Sequence, residues 1–365
     1  DPADFCLCRY SVPAKYMAFF SLLSRNSRAG VLWNINEHVV QLARLPRPDV
    51  KPVVVEAMVE FPLGDEDDVG KWIRGNFPER GRGYVPGYCG FHPTDRVLLR
   101  ETINTKRMVE PNYLPQLLAE QAKLTAVNDW NVCALHPSEG ELFTTATPSR
   151  PGLLVGLPLA TVRDAQQRLR KLGVRPRRLQ LGTIALLGAL TRYMRETTYP
   201  HATVVCEIGL GQTRVYFLAK DGVHTPAMLP HGLVSIMEAT MKELGAPGLG
   251  PARDALYAPT EELLGHSRRL VRVLTRHLKP AIDYFEMQTG QPIGALYCAH
   301  LPSKLGWIEE ALCTAVDLQF LVPDFDVWLP LSGVQLAPGC SLPSRSWLQP
   351  LSLVGRLAIS ANEPK

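Results

Sequence analysis

Residues 203–217 read Thr-Val-Val-Cys-Glu-Ile-Gly-Leu-Gly-Gln-Thr-Arg-Val-Tyr-Phe, two strand-like apolar runs around the tight turn Gly209-Leu210-Gly211-Gln212-Thr213. Glycine at a strand end lets backbone N–H groups approach a phosphate with no Cβ in the way. The Thr213 hydroxyl, at the start of the return strand, can bond the same group. Taken alone, the segment reads better as a β-hairpin with a glycine bulge, because short glycine motifs are common. Other parts of the chain must decide between the two.

The chain has 365 residues, 46% apolar and 20% charged, long enough for two or three domains with their own cores. A net charge of +4 neither demands nor excludes nucleic acid. No apolar run approaches the ~20 residues that span a bilayer. Residues 1–16 lack the apolar core of a signal peptide. They are set aside as a leader or expression-derived segment, with Met17 as the natural start. Eight cysteines have no zinc spacing, and Cys206, Cys298 and Cys313 lie in apolar runs, so buried reduced thiols are expected.

Residues 30–62 read as a strand meander, and Asp65–Phe77 as a short helix with an acidic start. Residues 75–96, rich in Gly and Pro, read as loops and a boundary. A separate unit follows over 93–173. It has strands at Val97–Ile103, Trp130–Leu135, Glu141–Thr145 and Leu153–Leu157, a helix at Tyr113–Leu124, and a second helix capped by Thr161. A strand–helix pair occupies 177–196, and the helix Leu233–Leu244 ends at Gly245. Residues 246–259 read as linker, and Thr260–Thr289 as one long amphipathic helix kinked at Pro280. Ala295–Cys298 is a buried-type strand, with helices at Gly306–Val316 and Leu348–Ile359. The alternation of strands and helices argues for an α/β fold. Four blocks are expected: 17–92 with 174–200, the inserted 93–173, and 201–365 with a small helical subdomain at 246–290.

Four segments stand in order. They are Val31–Leu42 around Asn34-Ile35-Asn36-Glu37-His38, the Glu207–Thr213 turn, Leu296-Tyr297-Cys298-Ala299-His300-Leu301-Pro302 running into a helix, and Leu351-Ser352-Leu353-Val354-Gly355-Arg356-Leu357-Ala358. This set resembles the PilM family of type IV pilus assembly proteins. These are cytoplasmic members of the actin, Hsp70 and hexokinase superfamily, related to FtsA. The resemblance covers about residues 17–365. It implies an actin-like, ribonuclease-H-like α/β fold of two domains, with an inserted α+β subdomain.

The family's motifs are altered here. Asn34 stands where the family's first aspartate helps position hydrated magnesium. Asn36 replaces the first-loop glycine, and Glu207 replaces the aspartate of the second loop. Ala299-His300 replaces the adenosine Gly-Gly. The resemblance therefore places a degenerate nucleotide cleft at Asn34, Asn36, Glu207, Gly209, Gly211, Thr213, Ala299 and His300. No catalytic residue and no metal ligand are assigned. No cofactor is expected, with ATP and magnesium as the alternative.

By the same resemblance the chain is a scaffold at the inner face of the inner membrane, held there through partners. It would take the N-terminal peptide of a PilN-like bitopic protein beside the inserted subdomain. Other pilus or secretion ATPases are further partners; nucleic acid is not. Two alternatives stay open: an active ATPase or sugar kinase of the superfamily, and a GspL-like type II secretion domain. A GspL-like chain continues into a transmembrane helix, and none follows up to Lys365. The basic run Arg168-Arg170-Lys171-Arg175-Arg177-Arg178 is either a solvated helix end or a face for anionic lipid or an acidic partner.

Overall fold

The computed structural model describes residues 29–360, apart from 82, 126, 128, 139, 146, 147, 226, 227 and 343, and describes residues 355–360 by their backbone alone. The expectations for residues 1–16 lie outside the described residues. Two compact units are present: one is the chain up to Tyr193 with Asp324–Pro343 and the chain from Trp347, the other Met194–Pro323 with Ser344–Ser346.

The first unit opens with the meander β1 (Gly30–Ile35), β2 (Val39–Leu45) and β3 (Val53–Pro62). β1 and β2 are buried almost throughout, as central strands covered on both faces are. Helix α1 (Glu66–Asn76) carries Glu66, Asp67 and Asp68 in its first turn, where the helix dipole favours anions. The stretch read as loops contains β4 (Val85–Phe91), a central strand parallel to β1. Its glycines hid it, because they weaken any strand pattern. Packing requires them: a Cβ at Gly87 would lie 2.4 Å from Val174 Cγ1, and one at Gly90 2.5 Å from Leu353 Cδ1.

A three-stranded antiparallel sheet then forms from β5 (Val97–Ile103), β6 (Trp130–Leu135) and β7 (Arg150–Pro158), in the order β5-β7-β6. Helix α2 (Tyr113–Ala122) packs on it. Residues 141–145, expected as a strand, contribute one bridge between Leu135 and Leu142. Helix α3 (Leu159–Lys171) starts before Thr161, whose hydroxyl donates to Asp95 at 2.5 Å instead of capping. α3 packs on both β7 and β8 (Val174–Leu181), an edge strand parallel to β4. Helix α4 (Gly182–Glu196) follows directly.

The second unit is built on β9 (Ala202–Ile208), β10 (Thr213–Ala219) and β11 (Gly222–His224), an antiparallel meander. Helix α5 (Leu233–Leu244) ends at Gly245, φ +65°, the left-handed stop that glycine adopts most readily. The expected linker holds helix α6 (Leu249–Tyr257), with Pro251 in its first turn, where its missing N–H costs nothing. The expected single helix is three pieces, α7 (Glu261–Gly265), α8 (Ser267–Leu270) and α9 (Arg272–Thr289). The breaks fall at His266 and Val271, while α9 runs on through Pro280. Strand β12 (Ile293–Ala299) pairs parallel to β9, helix α10 (Gly306–Val316) follows, and β13 (Gln319–Phe320) closes the order β11-β10-β9-β12-β13. The cysteines Cys206, Cys298 and Cys313 are buried and free here, and burial pushes all three thiols up, so they stay protonated.

The chain then returns to the first unit with α11 (Phe325–Ser332), β14 (Val334–Leu336) and α12 (Leu348–Ser360). β14 adds to β3, giving the six-stranded order β14-β3-β2-β1-β4-β8, and α12 lies on β1 and β4. Sequence reading placed these residues in the second domain; their packing surface is the first sheet. No described helix is long and apolar enough to cross a membrane.

One buried carboxyl shapes the second unit. β13 pairs only with Ala295 and Leu296 and stops short of the Cys298 N–H, which donates to Glu309 Oε1 at 2.8 Å. The Arg345 guanidinium pairs with the other Glu309 oxygen and lies 5.1 Å from the Phe320 ring centre. Burial pushes the Glu309 carboxyl up to about 7, against the pull of Arg345 and of the Cys298 N–H. The native state thus binds more protons than the unfolded chain between the usual 4.5 and about 7. Stability falls as pH rises across that window, by up to about 3 kcal/mol. Urea unfolding of Glu309→Gln against wild type should move in the variant's favour by that order between pH 4.5 and pH 8. A difference that stays constant with pH contradicts the assignment.

Candidate functional site

In the first unit, Asn34 and Asn36 flank Ile35 at the end of β1, both buried. The Asn36 side-chain oxygen accepts from the N–H of His38 at 2.8 Å and of Val39 at 3.0 Å. It closes the β1–β2 turn as an Asx turn and takes up N–H groups that a glycine would leave for a bound anion. Asn34 donates to Gln41 at 3.1 Å, and Gln41 donates to Glu60 at 3.0 Å. On its other side the Asn34 oxygen lies 3.1 Å from His92 Nε2. His92 Nδ1 lies 3.3 Å from the Thr183 hydroxyl at the start of α4. Gln349 of α12 also faces the ring, 3.0 Å from Nε2. A Cβ at Gly182 would lie 2.1 Å from His92, so the imidazole fills the space that this glycine opens. The Asn34 amide has no charge for a divalent cation, and its hydrogen-bonding groups already have protein partners.

In the second unit, Glu207 lies near the end of β9, beside Ala299 at the end of β12. The Glu207 carboxylate is buried; one oxygen accepts from the Tyr216 hydroxyl at 3.2 Å, and the other lies 3.4 Å from His300 Nε2. His300 has φ +69°, a left-handed conformation uncommon for any residue with a Cβ. It keeps a backbone geometry suited to glycine while its imidazole occupies the space beside Glu207. The Thr213 hydroxyl donates to the His231 carbonyl at 2.8 Å. The Gly209 N–H donates to the Gln212 carbonyl at 2.9 Å. Gly232 packs directly on this turn: its Cβ would lie 2.5 Å from the Gly209 carbonyl oxygen. A Cβ at Gly211 would meet nothing within 4 Å.

The structure thus gathers Asn34 and Asn36 in one unit, and Glu207, Gly209, Gly211, Thr213, Ala299 and His300 in the other. Sequence reading missed His92, Gln349, Gln41 and Tyr216. His92 sits in the Gly/Pro-rich stretch read as loop, and nothing in its neighbours signals that role.

A second feature of the first unit is an apolar cavity of about 360 Å³ between the ends of β1 and β4 and helix α3. Thr161, Asp164, Ala165, Arg168 and Leu169 form its helical wall, at helical spacing on one face of α3. Trp33 lines it from β1, and the Trp33 indole N–H has no acceptor among the described residues.

No family model matches the sequence, and no curated protein matches it. Among solved structures, the chain resembles a PilM–PilN type IV pilus biogenesis complex, with a TM-score of 0.62 and 17% identity over 93% of this chain and 100% of that one. Weaker likenesses include a Bacteroides thetaiotaomicron protein of actin-like ATPase fold and unknown function, at TM-score 0.44 and 7% identity over 82% of this chain and 94% of that one. Another is the cytoplasmic domain of EpsL, an inner membrane component of the type II secretion system of Vibrio cholerae. It gives a TM-score of 0.41 and 11% identity, over 91% of this chain and 95% of that one. The fold is therefore the actin-like α/β fold of PilM, as the ordered motifs implied.

His300→Gly separates two opposed effects at the second-unit site. Relief of the left-handed backbone gains about 1 kcal/mol. Loss of the imidazole leaves a buried carboxylate short of one partner, at about 1–3 kcal/mol or more. The loss wins, so the variant should unfold at lower denaturant by about 1–2 kcal/mol, and adding Glu207→Gln should restore most of it. An unchanged or raised midpoint for His300→Gly shows that the imidazole does not support Glu207.

Proposed function

We propose that this chain is a PilM-like scaffold of a type IV pilus or related secretion machine, not a nucleotide hydrolase. It binds the N-terminal peptide of a PilN-like bitopic membrane protein and works at the cytoplasmic face of the inner membrane. Other pilus or secretion ATPases are its further partners, and nucleic acid is not among them. The observation that carries this reading is the apolar cavity beside α3. It supports insertion of apolar peptide side chains against Trp33, Phe91 and Leu169. Its subdomain wall is a helix, so side-chain pockets rather than strand addition supply the affinity. The likeness to a PilM–PilN complex supports the same choice of partner.

The nucleotide half of the reading rests on the side chains that stand in the phosphate loops. Asn36, Thr213 and Gly209 direct their bonding groups to the protein itself. Asn34 offers no charge to magnesium, and Glu207 is longer than aspartate and is held by Tyr216 and His300. Calorimetric titration with Mg-ATP should show no binding at micromolar Kd, which would be about −8 kcal/mol. Micromolar binding, or turnover abolished by Glu207→Ala, overturns the degenerate-site reading. For the peptide, Ala165→Trp should fill the cavity and weaken capture of a PilN-like N-terminal peptide by at least about tenfold, with melting unchanged. Capture that survives the plug places the partner elsewhere.

A further inference from the structure

One end of the first unit concentrates positive charge around the turn at Gly173. The Gly173 carbonyl accepts from the Val85 N–H at 2.9 Å and from Arg80 Nη1 at 3.4 Å, while its own N–H donates to Arg170 at 3.0 Å. The turn thus draws together the stretch before β4, the last turn of α3 and the start of β8. Arg170, Lys171, Arg175 and Arg177 are exposed around it. None of these four, nor Arg80, sits in an ion pair among the described residues. The acidic residues nearby are engaged elsewhere: Glu66 pairs with Arg168 at 3.0 Å, Glu79 approaches Arg44 at 3.6 Å, and Asp49 accepts from Tyr88. Tyr84, next to Val85, is 57% exposed.

Local structure accounts for part of this. Cations suit the C-terminus of α3, and charged residues with Pro176 protect the edge strand β8 from pairing with another chain. Neither reason calls for Arg80 at the same turn, nor for an exposed aromatic beside it.

We propose that this end of the domain docks directly on a bilayer surface rich in anionic phospholipid. Four cations face outward around the turn that Arg80 braces, and the exposed Tyr84 stands beside them, the amphipathic aromatic that settles at headgroup level. Each cation near an anionic surface strengthens binding by about fivefold. A single-stranded nucleic acid would call for a groove with successive stacking platforms, and one tyrosine does not supply them. The contact is separate from the α3 cavity and independent of any peptide partner, so it gives the chain a membrane attachment of its own.

The test is co-sedimentation of the full chain with vesicles of phosphatidylcholine containing 0, 15 or 30% phosphatidylglycerol (compositions on the order of a bacterial surface charge). Wild type should partition to vesicles in proportion to phosphatidylglycerol, and lose that partition in high salt. The combined variant Arg170→Gln, Lys171→Gln, Arg175→Gln and Arg177→Gln should bind at least about tenfold more weakly. A matching melt shows that it is folded. Should that variant melt early, Arg175→Gln with Arg177→Gln alone should still weaken binding several-fold. Equal partition of folded variant and wild type overturns the proposal. So does wild type that ignores phosphatidylglycerol, including one that instead shifts an oligonucleotide through these same residues.

Discussion

A buried carboxamide cannot stay unpaired, and the placement of Asn34 at the end of a central strand sets much of what surrounds it. Its two polar atoms call for a donor and an acceptor in a region where every strand is covered. Gln41 of β2 meets one and His92, just past β4, meets the other. The chain of bonds extends through Gln41 to Glu60 on β3, and from His92 to Thr183 of α4 and Gln349 of α12. Three strands, the residue that follows β4 and two helices thus share one polar network across the end of a sheet. Such networks are costly when half satisfied and rigid when complete. A charged residue at position 34 would need a cation to replace these partners; the neutral amide makes the network self-contained.

The second unit answers a similar problem with a buried carboxyl group. Glu207 is buried on β9, and a buried carboxylate is expensive without partners. Tyr216 supplies one from the neighbouring strand. His300 Nε2 lies 3.4 Å from the other oxygen, on a backbone at φ +69°, a strain of about 1 kcal/mol. Backbone strain of this kind persists where surrounding structure over-determines it. In both units an imidazole packs against a buried polar side chain at a strand end, His92 beside Asn34 and His300 beside Glu207.

Elements with a strong period or clear stops were legible in the sequence. The meander β1–β3, helix α5 with its Gly245 stop and helix α10 follow from alternation, helical spacing and capping chemistry. β4 was not, because Pro86, Gly87 and Gly90 answer to close packing by Val174 and Leu353, residues far away in sequence. α6 was hidden by Gly and Pro that its first turn tolerates. The return of α11, β14 and α12 to the first sheet is a long-range pairing that no local pattern carries. Of the site, the loop positions were legible because glycine turns and ordered motifs are local signals. Their partners were not: His92, Gln41, Tyr216 and Gln349 are named only by the fold that brings them there.

Helix α3 joins two of these themes. One stripe, Thr161, Asp164, Ala165, Arg168 and Leu169, faces the cavity, with Val162 buried beside it. Its last turn delivers Arg170 and Lys171 to the Gly173 end. Arg168 stands between, lining the cavity and pairing with Glu66 of α1. That exposed pair contributes little to stability. Its consequence is positional: it withdraws one cation from the basic end and fixes it at the cavity mouth. A helix has only 3.6 residues per turn, so residues two apart point to different sides. This geometry lets Arg168 serve an apolar cavity while Arg170 stays exposed, and it explains how a run of basic residues that looks uniform in sequence divides into two surfaces.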